Sequence, residues 1–434
     1  MKILIQDTLI LPMTGEGDEV RGSIAIEDGI IGQIGEVDPS FEADQVVDGS
    51  HHMALPGLIN THTHAAMQYF KNFNDAETNL QSWLASVWAY EAVMNDEDIY
   101  WGSLSAIAEM IASGTTCFND MYFSVPETIR ALQETHMKGT VGLTLFGDEQ
   151  DSRERIDRAL HSMLTVKQES EGLIDITIAP HAPYTCTDGT YRLAAEVARE
   201  HGLQVHTHLS ESLFEVEESI KNLGQSPVAH LDSLDSLHSN TLCAHVVHTD
   251  SLDVATLRRH NAAILHNPSS NCKLSNGIAP IRRYMDEGIR VALGTDGSSS
   301  NNTLDMFREM RLAAMISASQ GMTISPYEIV EMATKNGAQV LGRLDTSGTL
   351  EAGKDADIIL VDTNGIHTTP VNNPYSALVY TLASCDVSSV CIRGRLVYHK
   401  KHFTEIDINT VREQIALHWE AMKQRVIQKG ETHE

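Results

Sequence analysis

Residues 55–64, LPGLINTHTH, form a short β-rich run that ends in a His-x-His pair. Longer stretches with helical periodicity, such as NLQSWLASVWAYEAVM (79–94), separate this run from seven similar ones. Those seven runs are 115–121, 139–145, 175–181, 203–209, 240–248, 262–271 and 290–296. Eight strands that alternate with helices match the size and rhythm of a (β/α)8, TIM-like barrel, so the expected class is α/β.

Both chain ends show a different pattern. Residues 3–11, ILIQDTLIL, and residues 355–362, DADIILVD, alternate apolar and polar side chains as half-buried strands do. We therefore expect a small β domain formed from residues 1–55 and 346–404. The (β/α)8 barrel would occupy residues 56–345, and residues 405–434 would form a C-terminal helical tail.

An open doubly wound sheet is the structural alternative to the barrel. That fold commonly carries a G-x-G-x-x-G motif after its first strand, where the backbone approaches a dinucleotide. The sequence has no such motif after its first barrel strand. The barrel is therefore the favoured prediction.

Composition excludes several classes of partner and location. The 434 residues include 31 Lys and Arg against 59 Asp and Glu, a net charge of −28. This balance disfavours nucleic acid and anionic membranes, both of which need a cationic footprint. The first residues lack the pattern of a signal peptide, and no apolar stretch is long enough to span a membrane. The six cysteines are scattered without a C-x-x-C pair, which fits a reducing cytoplasm.

Histidines are frequent, 21 in all, and several stand at the ends of the predicted barrel strands. Active sites of such barrels lie at the C-terminal ends of the strands. Residues i and i+2 of a strand point to the same face, so His62 and His64 can aim at one point above the barrel axis. The other strand-end groups are His181, His206, His208, His245, His248, His266 and Asp296.

A His-x-His pair alone is a weak signal, because histidines meet this spacing by chance. An imidazole on the fifth strand and Asp296 after the eighth would complete a set of three nitrogens and one oxygen. This set suits Zn²⁺, or another divalent transition metal with a looser preference. A coordination position left for water would make the site catalytic.

Four motifs add a resemblance to a known family: PGLINTHTH (56–64), HTHLSE (206–211), HNPSSNCKLSNGIAPI (266–281) and LGTDG (293–297). Together they resemble the amidohydrolase superfamily, within it the cytosine-deaminase and chlorohydrolase-like branch, nearest to 5-methylthioadenosine/S-adenosylhomocysteine deaminases. The resemblance covers nearly the whole chain, including GTLEAGKDADIILVD (348–362). It implies a (β/α)8 barrel with a small β-sandwich domain.

The resemblance also assigns site residues. It implies a metal centre formed by the side chains of His62, His64, His208 and Asp296. His208 is preferred to His206 because the family's ligand is followed three residues later by a glutamate, here Glu211. One divalent ion is expected, zinc first, with Fe²⁺ or Mn²⁺ as alternatives. Binuclear relatives carry a lysine on strand four, whereas this strand ends Ala179-Pro180-His181.

Catalytic roles follow from the same resemblance. Asp296 would take a proton from the attacking water, and His245 would orient or polarise that water. Glu211 would carry a proton to the ring nitrogen of the substrate and would therefore also be a substrate-binding residue. The implied reaction is hydrolytic deamination of 5′-methylthioadenosine, S-adenosylhomocysteine or adenosine to the inosine analogue and ammonia.

The resemblance implies further substrate contacts, and for some of these residues a purely structural role is the alternative. Glu91 would accept from the ribose hydroxyls, or else be an ordinary exposed helix residue. His181 would contact the purine edge, while Trp83 and Trp88 are interpreted as packing residues. Arg153 is the nearest candidate to pair with the carboxylate of S-adenosylhomocysteine, but its setting, DSRERIDR, equally fits a solvated helix face. Methylthioadenosine or adenosine is therefore expected to be the better substrate.

Two other functions remain open from the sequence. One is a guanine deaminase or a chlorohydrolase-like enzyme that acts on another N-heterocycle with the same metal site. The other is a scaffold without catalysis, which would be expected to lose metal ligands that this chain keeps. The expected partner is a small nucleoside, and a homo-oligomer is compatible with such barrels. The zinc deaminases of another fold are excluded, since H-x-E followed by P-C-x-x-C is absent.

Overall fold

A computed structural model describes residues 1–77, 79–239 and 241–431 of the chain. Asn240, the first residue of the predicted run 240–248, and residues 432–434 of the predicted tail lie outside this description. Within the described residues, no helix is long and apolar enough to cross a membrane.

Seventeen strands form two sheets in the described part of the chain. The strands are β1 (Lys2–Ile10), β2 (Val20–Glu27), β3 (Ile30–Gly35), β4 (Gln45–Asp48), β5 (His52–Pro56), β6 (Leu58–Thr63), β7 (Thr115–Tyr122), β8 (Lys138–Leu145), β9 (Ile174–Pro180), β10 (Gln204–Leu209), β11 (Leu242–His245), β12 (Ala263–His266), β13 (Arg290–Leu293), β14 (Ile358–Asp362), β15 (Val387–Ile392), β16 (Arg395–His399) and β17 (His402–Phe403).

Along the chain, most helices lie between consecutive strands of the series β6 to β13. They are α1 (Leu80–Glu91), α2 (Asp96–Ala112), α3 (Val125–Thr135), α4 (Glu149–Glu169), α5 (Asp188–His201), α6 (Leu213–Leu223), α7 (Pro227–Ser233), α8 (Ser251–Arg259), α9 (Pro268–Lys273), α10 (Ile281–Asp286), α11 (Ser298–Asn301), α12 (Met306–Ser319), α13 (Pro326–Ala333), α14 (Lys335–Val340), α15 (Pro374–Tyr380) and α16 (Ile408–Glu431). Short 3₁₀ helices cover Ala65–Phe70, Ile366–Thr368 and Ser384–Asp386.

The eight strands β6 to β13 pair in sequence order, and each pair is parallel. Side chains and loop backbone bridge the first and last strands. Thr61 Oγ1 donates to the Leu293 carbonyl at 2.8 Å, and the Asp296 backbone N–H donates to the His62 carbonyl at 2.9 Å. The predicted (β/α)8 barrel is confirmed.

The other sheet is mixed and contains strands from both chain ends. Its order is β17-β16-β15-β14-β5-β1-β2-β3, with β4 added beside β1. A separate hydrophobic cluster joins the two ends, for example Ile5 and Ile24 with Ile358 and Cys391. This agrees with the expected small β domain, and the residue boundaries 55/56, 345/346 and 404/405 stay predictions.

Several predicted strands end earlier in the structure, among them the run 290–296, which ends as a strand at Leu293. Two others have a clear physical reason. The run 262–271 ends as a strand at His266, because Pro268 begins α9 and its ring cannot donate to a strand ladder. The run 240–248 ends at His245, where His245 and Val246 have left-handed φ values of 73° and 46°. Both runs therefore turn away from the sheet at the C-terminal end of the barrel.

Candidate active site

The C-terminal strand ends bring four of the predicted metal ligands together. His64 Nε2 lies 3.2 Å and His62 Nε2 3.6 Å from Asp296 Oδ1. His208 Nε2 lies 3.3 Å from His64 Nε2. All four side chains are buried. The i, i+2 spacing on β6 thus places both histidines on the inner face, as expected.

Each of these imidazoles is held through its Nδ1 atom. His64 Nδ1 donates to the Met121 carbonyl at 2.6 Å, and His208 Nδ1 donates to the His181 carbonyl at 2.8 Å. His62 Nδ1 lies 2.9 Å from His206 Nε2. These contacts direct the Nε2 atoms inward, which is the usual arrangement of metal-binding histidines.

The donor set fits a divalent cation. Ligand atoms of His62, His64 and Asp296 lie within 4.8 Å of one another, and so do those of His62, His208 and His245. His62 Nε2 and His245 Nε2 are buried and have no hydrogen-bond partner among the described residues. Buried polar atoms of this kind are costly unless something satisfies them. A cation bound by nitrogen and carboxylate oxygen would do so.

Electrostatics keep most of these rings neutral and Asp296 ionised. Burial lowers the pKa of His62 to about 4 and holds that of His208 well below its usual value. Burial also opposes charge on His64, but the hydrogen bond and charge of Asp296 raise its pKa to about 9. For Asp296, burial favours the neutral acid, yet contacts with His62 and His64 hold the pKa well below its usual value. Neutral imidazoles and a carboxylate are the forms that bind metals.

Glu211 and His245 stand beside this set. His245 Nε2 lies 3.9 Å from both Glu211 Oε1 and Asp296 Oδ2. Burial raises the pKa of the Glu211 carboxyl, and the charge of His245 opposes this. A buried carboxyl whose pKa is raised is a candidate for proton transfer.

A cavity opens onto these residues and encloses about 560 Å³, its open mouth included. Polar groups at its base are His64, His208, Glu211, His245 and Asp296. Its walls are mostly apolar and aromatic: Met67, Leu80, Trp83, Leu84, Trp88, Met121, Tyr122, Phe123, Phe146, Tyr184 and Leu274. Among the described residues that line it, none is a lysine or an arginine.

Glu91 and His181 also line the cavity. The Tyr122 hydroxyl donates to Glu91 Oε1 at 2.7 Å. The His181 ring stacks on Phe146 with ring centres 4.6 Å apart, and burial lowers its pKa to about 3, so that the ring is neutral. Trp83 and Trp88, interpreted from the sequence as packing residues, face the cavity as well.

Arg153 lies elsewhere. It forms an exposed i, i+4 ion pair on α4 with Glu149 at 3.0 Å, and it is not among the residues that line the cavity. The structure therefore brings together every predicted site residue except Arg153. Charge-rich helix starts such as DSRERIDR are usually solvated, and this one follows that rule.

Sequence reasoning assigned no role to several residues that contact the site. Tyr122 bonds Glu91, and the side chains of Ser270, Asn271 and Asn276 bond Asp296, His245 and Glu211, respectively. The last three lie in the motif 266–281, which entered the sequence argument only through the family resemblance. A cluster of small polar residues directly after a barrel strand was the available signal.

Comparisons with known proteins agree with this geometry. A family model described as "Amidohydrolase family" matches residues 53–397. The 5-methylthioadenosine/S-adenosylhomocysteine deaminase of Thermoanaerobacter pseudethanolicus is 37% identical over 418 residues, 95% of this chain and 97% of that protein. The 5′-deoxyadenosine deaminase of Methanosphaera stadtmanae is 40% identical over 413 residues, 93% of this chain and 95% of that protein.

A solved structure is similar over almost the full length. The adenosine deaminase from Xanthomonas campestris with bound zinc superposes with a TM-score of 0.92 at 27% identity, covering 97% of this chain and 98% of that one. The resemblance to the amidohydrolase superfamily is thereby confirmed, and the metal-dependent character of that family agrees with the buried donor set. The chain belongs to the amidohydrolase family and is an enzyme of that family.

Proposed function

We propose that this enzyme hydrolytically deaminates an adenosine-type nucleoside with an uncharged 5′ group, releasing ammonia and the inosine analogue. The observation that carries the proposal is a cavity lined by three of the proposed metal ligands, His64, His208 and Asp296, and also by Glu211 and Glu91. Relatives named as deaminases of 5′-modified adenosines support it.

The proposed metal ligands are His62, His64, His208 and Asp296, and the proposed ion is Zn²⁺. A divalent cation there would supply a Lewis acid that makes water a nucleophile at neutral pH. The similar Xanthomonas adenosine deaminase has bound zinc, which supports this choice of metal. The four donors, three imidazole nitrogens and one carboxylate oxygen, match the preference of zinc.

The chain's own residues would move the protons. The oxygen of water adds to the ring carbon that carries the amino group, and Asp296 accepts a proton from that water. Glu211 delivers a proton to the neighbouring ring nitrogen, while His245 orients the water. Asp296 then passes the proton it accepted to the amino group, the carbon–nitrogen bond breaks and ammonia leaves. The remaining hydroxyl proton of the added water returns to Glu211 as the ring carbonyl forms.

Substrate recognition would divide between the two ends of the cavity. His181 would contact the purine edge, and the Glu91 carboxylate would accept from two ribose hydroxyls. The apolar walls suit a methylthio or hydrogen substituent at the 5′ position. Arg153 takes no part, because its side chain pairs with Glu149 away from the cavity. S-adenosylhomocysteine, with its charged amino-acid end, would be the poorer substrate. A cytoplasmic location is also proposed, since all six cysteines are free.

A deamination screen with Glu211→Gln as the matched variant tests this function. Purified enzyme with one equivalent of zinc is assayed for ammonia release from 5′-methylthioadenosine, adenosine, S-adenosylhomocysteine and guanine. We expect turnover of the three adenosine derivatives, with the lowest kcat/KM for S-adenosylhomocysteine, and no turnover of guanine. Glu211→Gln should keep its metal and lose about 10²–10⁴-fold in kcat, because it cannot transfer the proton. Turnover of guanine alone would overturn the nucleoside assignment.

A further inference from the structure

A single segment after β12 contacts all three proposed acid–base residues. This post-β12 segment comprises residues 267–277 and includes α9. Ser270 Oγ donates to Asp296 Oδ2 at 2.6 Å. His245 Nδ1 donates to Asn271 Oδ1 at 2.8 Å, and Asn276 Nδ2 donates to Glu211 Oε1 at 2.9 Å.

The three side chains that make these contacts are buried. Ser270, Asn271 and Asn276 are 0%, 1% and 4% exposed, so that water does not compete for the bonds. In a buried setting, a hydrogen bond to an ionised group orients that group strongly. Each of the three acid–base residues is thus held by one short stretch of chain.

Two of these bonds leave another atom of the proposed acid–base residue facing the site. With Oδ2 of Asp296 held by Ser270, Oδ1 faces His62 and His64. With Nδ1 of His245 held by Asn271, Nε2 is the ring nitrogen left to contact water, and Nε2 has no hydrogen-bond partner in the described part of the chain.

The post-β12 segment is itself fixed from behind. The backbone N–H of Ser269 donates to the buried carboxylate of Glu309 at 3.1 Å. His248 Nε2 donates to the Asn276 carbonyl at 2.6 Å, and Lys273 Nζ donates to the Ser299 carbonyl at 2.9 Å. The segment is therefore anchored to α12, to the loop after β11 and to α11.

We propose that Ser270, Asn271 and Asn276 are positioning residues that set the relative orientation of Asp296, His245 and Glu211 as one unit. The inference rests on the proposed function, since it assigns these three partners to proton transfer. Because a single anchored segment carries all three contacts, the proton donor, the water-orienting ring and the proton acceptor keep one fixed spacing.

A double-mutant cycle tests the proposal at Asn276. Asn276→Ala in the otherwise intact enzyme should lower kcat by about 10- to 100-fold while KM changes little, since the cavity walls are untouched. In a Glu211→Ala background, the same change should alter kcat by about twofold or less, because the partner is already gone. A residue that only supports the fold would lower activity equally in both backgrounds.

The matched control is Cys272→Ala, an exposed position on α9 within the same segment. Cys272→Ala should leave kcat, KM and metal content unchanged. Asn276→Ala should also leave the metal content unchanged. The four proteins of the cycle are also compared by their urea midpoints. If wild-type enzyme releases no ammonia from any nucleoside, the proposed function fails. The coupling between Asn276 and Glu211 is then measured from the urea midpoints alone. Additive effects of Asn276→Ala and Glu211→Ala in either readout would overturn the positioning role.

Discussion

Glu91 shows how one hydrogen bond tunes a proposed substrate contact. Burial raises the pKa of its carboxyl, and the bond from Tyr122 lowers it again. Two ribose hydroxyls can donate together only to the ionised carboxylate. Nucleoside binding should therefore weaken as the pH falls through the pKa of Glu91.

Tyr122→Phe removes the hydrogen bond and leaves the ring in place. The pKa of Glu91 should then rise further, so that KM for 5′-methylthioadenosine begins to increase at a higher pH than in wild type. KM measured from about pH 5 to 9 checks this, and the two enzymes should converge at the alkaline end. An unshifted KM profile would contradict the role of Glu91 as an ionised ribose acceptor.

The structure brings the proposed metal ligands together as the sequence predicted, and their role as ligands stays a prediction. His62 and His64 follow from strand geometry and Asp296 from its place after the last barrel strand. The family resemblance was needed to choose His208 over His206, whose ring lies behind His62 instead. Asn276 contacts Glu211 across 65 positions, and no periodicity in the sequence links two such side chains.

The C-terminal helix α16 packs against α1, which forms part of the cavity wall. Its Trp419 ring stacks on Tyr90 of α1 with ring centres 5.2 Å apart, and Met422 is fully buried in the same cluster as Trp83. His418 and Arg425 both bond the buried carboxylate of Asp98 on α2. Helix α16 therefore backs α1, which carries Glu91 and the tryptophans of the cavity wall.

Trp419→Ala should loosen α1. We expect a loss of about 1 kcal/mol or more in the free energy of unfolding, because an aromatic stack and its buried area disappear. KM for the nucleoside should rise several-fold while kcat falls less. Urea denaturation and steady-state kinetics measure the two effects.

The control is Leu417→Ala on the same helix, whose side chain is 62% exposed. It should change neither stability nor KM. Equal effects of the two substitutions would show that α16 does not act through α1. The sequence predicted a helical tail here, but its docking depends on contacts with Asp98, which is 320 positions from His418 and 327 from Arg425.

At the scale of the whole molecule, a buried ion cluster joins the barrel to the mixed sheet. Lys138, at the start of β8, is 1% exposed and donates to Asp355, Asp357 and Ser347 at 2.6, 2.5 and 3.0 Å. Both aspartates precede β14 of the other sheet. The pattern of β and α runs in the sequence predicted both the barrel and the small β domain. The sequence around Lys138 did not predict the ion cluster that joins them.

Lys138→Met should destabilise the protein by about 3–5 kcal/mol, because two largely buried carboxylates lose the buried cation that they share. Replacing both aspartates by asparagine in the Lys138→Met background should recover part of this loss. Urea unfolding of the three proteins provides the comparison. If Lys138→Met is as stable as wild type, the cluster does not hold the two units together.

The proposed deamination is tested most directly by the rates at which the zinc-loaded wild-type enzyme releases ammonia from 5′-methylthioadenosine and S-adenosylhomocysteine. The cavity, which has no lysine or arginine among the described residues that line it, and the proposed ribose acceptor Glu91 predict turnover of both, with the higher kcat/KM for 5′-methylthioadenosine. Ammonia release that is absent for every adenosine derivative would contradict the proposed reaction, and a higher kcat/KM for S-adenosylhomocysteine would contradict the proposed preference for an uncharged 5′ group.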